Sequence, residues 1–178
     1  LDFTRKGNAV LFSLGPVPVD SIPADSLVDK AVYDLWHWQE TTIQPQQKLS
    51  AARDRNRTHL ALYDLAANRW TKLGNDSLTQ VTVSDDGRRV LALNPVEYAI
   101  EQFWGEGGAD AYLIDPLTGK RTLLEKRLGR DTELSTGGNF VTWFDEGRWF
   151  AYNIATGKKV DLTGGITSNF SSLYLLPI

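Results

Sequence analysis

Three times along the chain a turn that opens on Ser or Thr and closes on Gly stands just ahead of an apolar run. Three times an aromatic or aliphatic residue is followed by an acid or amide and then by Gly or Asn. The turns are Thr4-Arg5-Lys6-Gly7 before Val10-Leu11, Ser84-Asp85-Asp86-Gly87 before Val90-Leu91, and Ser135-Thr136-Gly137-Gly138 before Val141-Thr142. The second signature reads Tyr63-Asp64-Leu65 leading to Asn68, Ile114-Asp115-Pro116 to Gly119, and Tyr152-Asn153-Ile154 to Gly157. Nineteen positions separate Asn68 from Gly87, and 19 separate Gly119 from Gly138. Within a copy the distance changes, being 61 from Gly7 to Asn68, 32 from Gly87 to Gly119 and 19 from Gly138 to Gly157. A fixed connection between copies and a variable one inside them mark a repeated supersecondary unit that takes insertions in one place.

Both signatures have hairpin chemistry, because Gly, Asn and Asp accept the positive φ of tight or bulged turns. The unit is therefore four strands. In the second copy strand A ends at Ser84, strand B runs Arg88 to Leu93, strand C Ala109 to Asp115 and strand D Lys120 to Leu124. Small antiparallel four-stranded sheets in this order, each covered by its neighbours, are the blades of a β-propeller. A β-sandwich of unrelated hairpins has no cause to hold one connection at a constant length. The expected fold is all-β with little helix: an incomplete ring of about three blades over residues 1–75, 76–127 and 128–163. Val10, Val90 and Val141 are expected at equivalent, buried places in strand B. The tail, residues 164–178, does not restart the pattern, and Leu176 stands where the next turn glycine would fall. Propellers close with about 4 to 8 blades, so three leave two open sheet faces. The chain is expected to be a piece of a longer polypeptide and, on its own, to self-associate or to be less stable than the intact propeller.

Composition narrows the classes. With 42% hydrophobic residues and 11% aromatics in 178 positions, a sizeable core is within reach. No run approaches the ~20 apolar residues of a membrane-spanning helix. A formal charge of −3 gives no basic footprint for nucleic acid. The absence of cysteine removes disulfides and thiolate chemistry but leaves the compartment open; a periplasmic or secreted placement is favoured over a cytoplasmic one.

The insertions are where such a scaffold carries its individuality. The first, Gly15 to Arg57, opens with Pro16, Pro18 and Pro23 and then a strand-like stretch from Ala31 to Trp38. Its cluster Trp36-His37-Trp38 suits a strand packed on one side, or alternatively a ligand-facing surface. Gln44 to Arg55 reads as a short helix with Pro45 in its first turn, with an extended strand as the alternative. The second insertion, Asn94 to Ala109, gathers Glu97, Glu101 and Glu106 near Asp110. An acid pair or metal site there would need convergent oxygen ligands in a defined loop, and no calcium-loop spacing occurs. Gly105, Gly107 and Gly108 open no helix after a strand, so they turn the chain into strand C rather than cradle a phosphate.

Catalytic apparatus is not expected, and no site residue is assigned: catalytic, cofactor-binding and metal roles are all read as empty. The two histidines, His37 and His59, have no Cys partner and stand in no HExxH motif. No G-x-S-x-G elbow occurs. Ser84 and Ser135 have a structural place in the turns, while Ser13 ends a strand.

Read together, these segments resemble a known family. Tyr33-Asp34-Leu35-Trp36-His37-Trp38, Gln44-Pro45-Gln46-Gln47-Lys48 and Arg57 to Tyr63 resemble the propeller region of bacterial serine peptidases of the prolyl oligopeptidase family. So do Gly107-Gly108 with Ala111 to Asp115, Thr118-Gly119-Lys120-Arg121, and Tyr152 to Lys158 ending in Asp161-Leu162-Thr163. Departures are Ala109 and Asp110, where relatives carry bulkier or basic residues, and Asn153 in place of an acid. The resemblance implies an N-terminal propeller over a C-terminal α/β-hydrolase domain of the same polypeptide, which would hold a Ser-Asp-His triad. No triad residue would lie in this chain. The propeller would restrict access to short peptide substrates. The rival from another class is a non-enzymatic propeller that binds a protein partner through its long loops.

Overall fold

Glycine and asparagine at positive φ set the frame in the computed structural model, which describes residues 1–17, 37, 40–105, 107–129 and 131–166. Gly7, Gly87 and Gly138 have φ of 70°, 69° and 69°, and Asn68, Gly119 and Gly157 have 52°, 72° and 68°. At the first set the same two backbone bonds recur. Gly7, Gly87 and Gly138 donate to the carbonyls of Thr4, Ser84 and Ser135 at 2.7, 2.9 and 2.8 Å. Thr4, Ser84 and Ser135 in turn donate to Ala9, Arg89 and Phe140, each at 2.9 Å. The three turns are one structure repeated.

Three four-stranded antiparallel sheets result. The first holds β1 (Asp2–Phe3), β2 (Ala9–Leu14), β3 (His59–Asp64) and β4 (Arg69–Lys72); the second β5 (Gln80–Val83), β6 (Val90–Asn94), β7 (Ala109–Ile114) and β8 (Arg121–Leu128). The third holds β9 (Glu133–Leu134), β10 (Phe140–Asp145), β11 (Arg148–Asn153) and β12 (Lys158–Asp161). In every sheet sequence order is spatial order. The chain is a β-propeller segment of three blades. Among the described residues the helix content is one α-helix, α1 (Gln44–Arg55), and two short 3-10 turns, Val96–Tyr98 and Glu101–Trp104. No helix of the described residues is long and apolar enough to cross a membrane.

The turn between strands C and D is built three times by one side-chain device. The Asp64 carboxylate accepts from the Ala67 amide at 2.7 Å and Asp115 from Leu117 at 2.9 Å, while the Asn153 side-chain oxygen accepts from Ala155 and Thr156, both at 3.0 Å. An amide oxygen serves this turn as a carboxylate does, which accounts for Asn153 standing in an acid's place.

Two apolar layers join the sheets. Ala9, Leu11, Leu60, Leu62 and Leu73 of the first pack with Val90, Ala92, Tyr112 and Ile114 of the second. Leu91, Leu93, Ala111 and Leu113 on the second sheet's other face pack with Leu134, Val141, Trp143, Phe150 and Tyr152 of the third. Each fully buried aliphatic here contributes about 1.5 to 3 kcal/mol. The turns are also wired to each other through backbone groups: Lys6 donates to the Asp85 carbonyl at 3.0 Å, and Asp85 to the Thr136 carbonyl at 2.9 Å.

Val10, Val90 and Val141 occupy equivalent register positions, opposite Phe3, Val83 and Leu134. Val90 and Val141 are fully buried, but Val10 is only half-buried, and that corrects the expectation of three buried valines. The face that carries Val90 is covered by the first sheet and that of Val141 by the second, whereas the equivalent face of the first sheet has no preceding sheet among the described residues. In that sheet the buried position is Ala9, on the opposite face. Strand D of the second blade runs four residues past Leu124, to Leu128. A bulge between Ala109 and Ala111 and a positive φ of 54° at Arg127 let the pairing resume after the irregularity.

The segment Leu14–Thr58 forms a compact unit of its own, inserted between β2 and β3. It contains α1, whose residues Gln44 to Arg55 take the helical alternative, with Pro45 in the first turn, where its missing N–H costs nothing. The aromatic pair Trp36 and Trp38, the strand read at Ala31 to Trp38, and the tail beyond residue 166 lie outside the described residues.

Candidate functional site

The second insertion, between β6 and β7, folds back onto its own sheet through a buried acid. Asp110, near the start of β7, is 2% exposed. Its Oδ1 accepts the Tyr98 hydroxyl at 2.7 Å and the Arg127 backbone amide at 3.1 Å. The Arg127 guanidinium lies 5.5 Å from the centre of the Tyr98 ring and pairs with Glu101 at 2.5 Å. One carboxylate therefore ties the first 3-10 turn to the bulged end of β8, and one arginine ties the second turn to the same place. Hydrogen bonding to Asp110, with burial and the carboxylate's charge adding to it, pushes the Tyr98 hydroxyl up to about 12. Tyr98 is a hydrogen-bond donor here, not a base.

Among the described residues the acids of this insertion do not gather into a ligand set. Glu101 faces Arg127, Asp110 faces Tyr98, and Glu106 lies outside the described residues. Among the described residues no group of three or more His, Asp or Glu could hold a metal ion. What the latch holds out is apolar: Val96, Ile100 and Trp104, spaced four apart, are all exposed. Gly105, at φ 83°, closes the second turn.

In the first insertion an open cleft of about 480 Å³ runs along α1, lined by Thr42, Gln46, Leu49, Arg53 and Arg57 among others. At its rim Asp54 accepts the Ser50 hydroxyl and an Arg57 N–H, each at 2.5 Å. The Ser50 hydrogen bond, then that of Arg57, holds the Asp54 carboxyl below its usual value. Arg53 is mostly exposed, so the cleft is a solvated face rather than an enclosed pocket.

The residues weighed for catalysis are placed as follows. His59 begins β3 with Nε2 3.4 Å from the Asp76 carboxylate. His37 lies in the other compact unit, its carbonyl accepting from the Glu40 amide at 3.0 Å. Ser84 is buried in its turn, donating to Asp86 at 2.7 Å and accepting from the Arg89 amide at 3.0 Å. The Ser135 hydroxyl accepts from Asn139 and Phe140 at 3.2 and 3.0 Å. Ser13 is exposed on β2. These serines are turn and strand residues.

Tyr98 and Arg127 escape a sequence reading, because a tyrosine twelve residues before an aspartate and an arginine seventeen after it form no motif. The same holds for a second cluster. Trp143 stacks on Phe150 with ring centres 5.8 Å apart, and the Lys159 ammonium lies 4.9 and 4.7 Å from the two rings while reaching Glu125 at 3.3 Å. Trp143 Nε1 is buried without a hydrogen-bond partner among the described residues.

No family model matches the chain, and no curated protein matches it. Among solved structures it is similar to TolB from Acinetobacter baumannii, at 20% identity and a TM-score of 0.41, covering 64% of this chain and 28% of that one. It is also similar to the tricorn protease, at 18% identity and a TM-score of 0.37, covering 58% of this chain and 11% of that one. The chain thus spans about a quarter and a tenth of the lengths of these two proteins.

Proposed function

We propose that the chain is the non-catalytic propeller segment of a serine peptidase of the prolyl oligopeptidase kind, restricting the access of short peptides to a separate α/β-hydrolase domain of the same polypeptide. One observation supports this reading: the described segments that resemble that family follow one another in chain order along the first insertion and the blades. Gln44 to Lys48 begins α1 in the long insertion, Arg57 to Tyr63 leads into β3, Ala111 to Asp115 fills β7 and its turn, and Tyr152 to Lys158 spans the turn between β11 and β12. Filtering needs a rigid frame that carries variable insertions, and the chain has two, after β2 and after β6. Hydrolysis would belong to the other domain, by nucleophilic attack on the peptide carbonyl.

The test is the parent reading frame and its product. A G-x-S-x-G segment downstream, together with hydrolysis of short peptides by the full-length protein and none by the 178-residue chain alone, is the expected result. Turnover by the chain alone, lost on replacing one Ser or His, would overturn it.

A second reading, a non-enzymatic propeller that binds a protein partner, is favoured by the exposed stripe Val96, Ile100 and Trp104 held out by the Asp110 latch. A full-length product with no hydrolase segment, in which Trp104→Ala abolishes partner capture, would favour it over the peptidase.

A further inference from the structure

We propose that the insertion between β6 and β7, residues 95–108, is a strap that swings open as one unit, and that the bulged end of β8 lets go in the same movement, with the Asp110 carboxylate as their common catch. Nothing in it depends on the peptidase reading, because every group involved belongs to the second sheet and its insertion.

The end of β8 is held out of the regular ladder. Tyr112, Leu113 and Ile114 of β7 face Leu123, Thr122 and Arg121, and the same pairing continued would set Leu124 opposite Ala111 and Lys126 opposite Ala109. The residues found there are Glu125 and Leu128, one and two places further on. A bulge leaves its extra residue outside the ladder. Arg127 lies in that stretch at φ 54°, a backbone conformation that a residue with a Cβ disfavours. Its amide donates to the Asp110 side chain at 3.1 Å, so a side-chain acceptor holds the strained residue.

The strap ends on the same acceptor. Tyr98, in the first 3-10 turn, donates to Asp110 Oδ1 at 2.7 Å, and Glu101, in the second, pairs with the Arg127 guanidinium at 2.5 Å. Arg127 therefore belongs to both parts, its amide fixing the strand end and its side chain the strap. Within the strap the backbone bonds are local: Tyr98 donates to Pro95, Ala99 to Val96 and Gly105 to Gln102. Each turn thus keeps its own shape when the strap moves. The return leg is close-packed as well, since a Cβ at Gly107 would collide with Gln102, and one at Gly108 would lie 3.0 Å from Arg127 Cγ and 3.1 Å from its carbonyl carbon. Opening takes Glu101 from the arginine and lets water reach Asp110, where it competes for the oxygen that held the Arg127 amide. A strained residue persists only while its surroundings over-determine it. Arg127 then relaxes, and the strand end opens with the strap.

Native-state amide exchange on the intact 178-residue chain tests this, followed at Tyr98, Ala99 and Gly105 in the strap and Arg127 in β8. Leu91 and Leu113, paired on the inner strands β6 and β7, report unfolding of the whole sheet. Corrected for intrinsic rates, the first four amides should share one opening equilibrium and one denaturant slope, and exchange at least about tenfold faster than the last two. Tyr98→Phe should accelerate all four by one common factor of about tenfold, as loss of a bond to a buried acceptor does. Gly108→Ala removes no latch group but thrusts a Cβ at Arg127, and should also accelerate all four together. Acceleration at Tyr98, Ala99 and Gly105 with Arg127 unchanged would overturn the proposal, because strap and strand end then move separately. Four amides no faster than Leu91 and Leu113 would overturn it too, because the strap then opens only with the sheet. If Tyr98→Phe does not hold a native state, the parent and Gly108→Ala decide by the same comparison.

Discussion

The Tyr98 hydroxyl and the Arg127 backbone amide converge on one oxygen of Asp110, at 2.7 and 3.1 Å. A loop and a strand end thus depend on a single buried acceptor, and removing a donor leaves the acceptor under-satisfied rather than simply freeing a loop. Tyr98→Phe should therefore lower stability by about 1 to 3 kcal/mol, the cost of leaving a buried acceptor under-satisfied. Denaturant midpoints of the two proteins check it.

The same bond makes a prediction at alkaline pH. Tyr98 titrates at about 12 in the folded chain, above its ordinary 10.0. A raised value means the neutral hydroxyl is favoured by folding, so its contribution is complete below pH 10.0 and is lost as pH rises towards 12. Tyrosinate absorbance should show an ionisation step at about pH 12 that vanishes in Tyr98→Phe.

Gly7 and Gly138 share a turn and a φ, 70° and 69°, but not their surroundings. A Cβ at Gly7 would meet nothing within 4 Å, whereas at Gly138 it would lie 2.9 Å from Ser84 Cβ and 3.0 Å from Arg89 Cβ, across the boundary between sheets. Gly7→Ala should cost only the conformational strain of about 1 to 2 kcal/mol. Gly138→Ala should cost distinctly more, and equal midpoints for the two variants would mean the second and third sheets yield freely.

Asp115 takes the Leu117 amide and further bonds from Thr118, which hold its carboxyl below the usual 3.8. A depressed value contributes stability above 3.8 that is lost as pH falls through the folded-state value. Asp115→Asn keeps the turn, as Asn153 does in the third sheet, but removes this titration. The variant should lose less stability on acidification than the parent, measured by denaturation at a series of pH values.

Trp143 is fully buried, its indole N–H without a hydrogen-bond partner among the described residues. Trp143→Ala should cost about 3 to 5 kcal/mol, as truncation of a core aromatic does. Trp143→Phe keeps an aromatic to stack on Phe150 and deletes the unpaired donor, so it should cost well under half as much. Thermal melts of both variants decide.

The blades were legible in the sequence because their turns are chemically demanding: only Gly, Asn and Asp sit easily at positive φ, and they recur at fixed spacing. Strand B and strand C could be placed for the same reason, each being anchored by a turn. Burial was less legible. Val10 repeats the pattern of Val90 and Val141, yet whether a face is covered depends on the neighbouring sheet, which local sequence does not encode. The end of strand D was misplaced because the bulge that prolongs β8 depends on Arg127 at a positive φ, an unusual choice for a side chain with a Cβ. The latch was missed because Tyr98, Asp110 and Arg127 come from three elements, and their meeting is a property of the fold. Chemistry at the loops was not legible: of the residues weighed for it, Ser13, Ser84, Ser135 and His59 are strand and turn residues.

Lys6, Asp85 and Thr136 link the three tight turns by backbone groups, so any residue added at that end would pull on two sheets at once. At the other end, after β6, the described residues of the insertion are held by side-chain bonds that end on Asn94, Asp110 and Arg127. A peptide grafted at Gly87 would therefore pull on the linked turns of neighbouring sheets, whereas one grafted between Asn94 and Ala109 would spare those backbone links and load only the latch of Tyr98, Asp110 and Arg127.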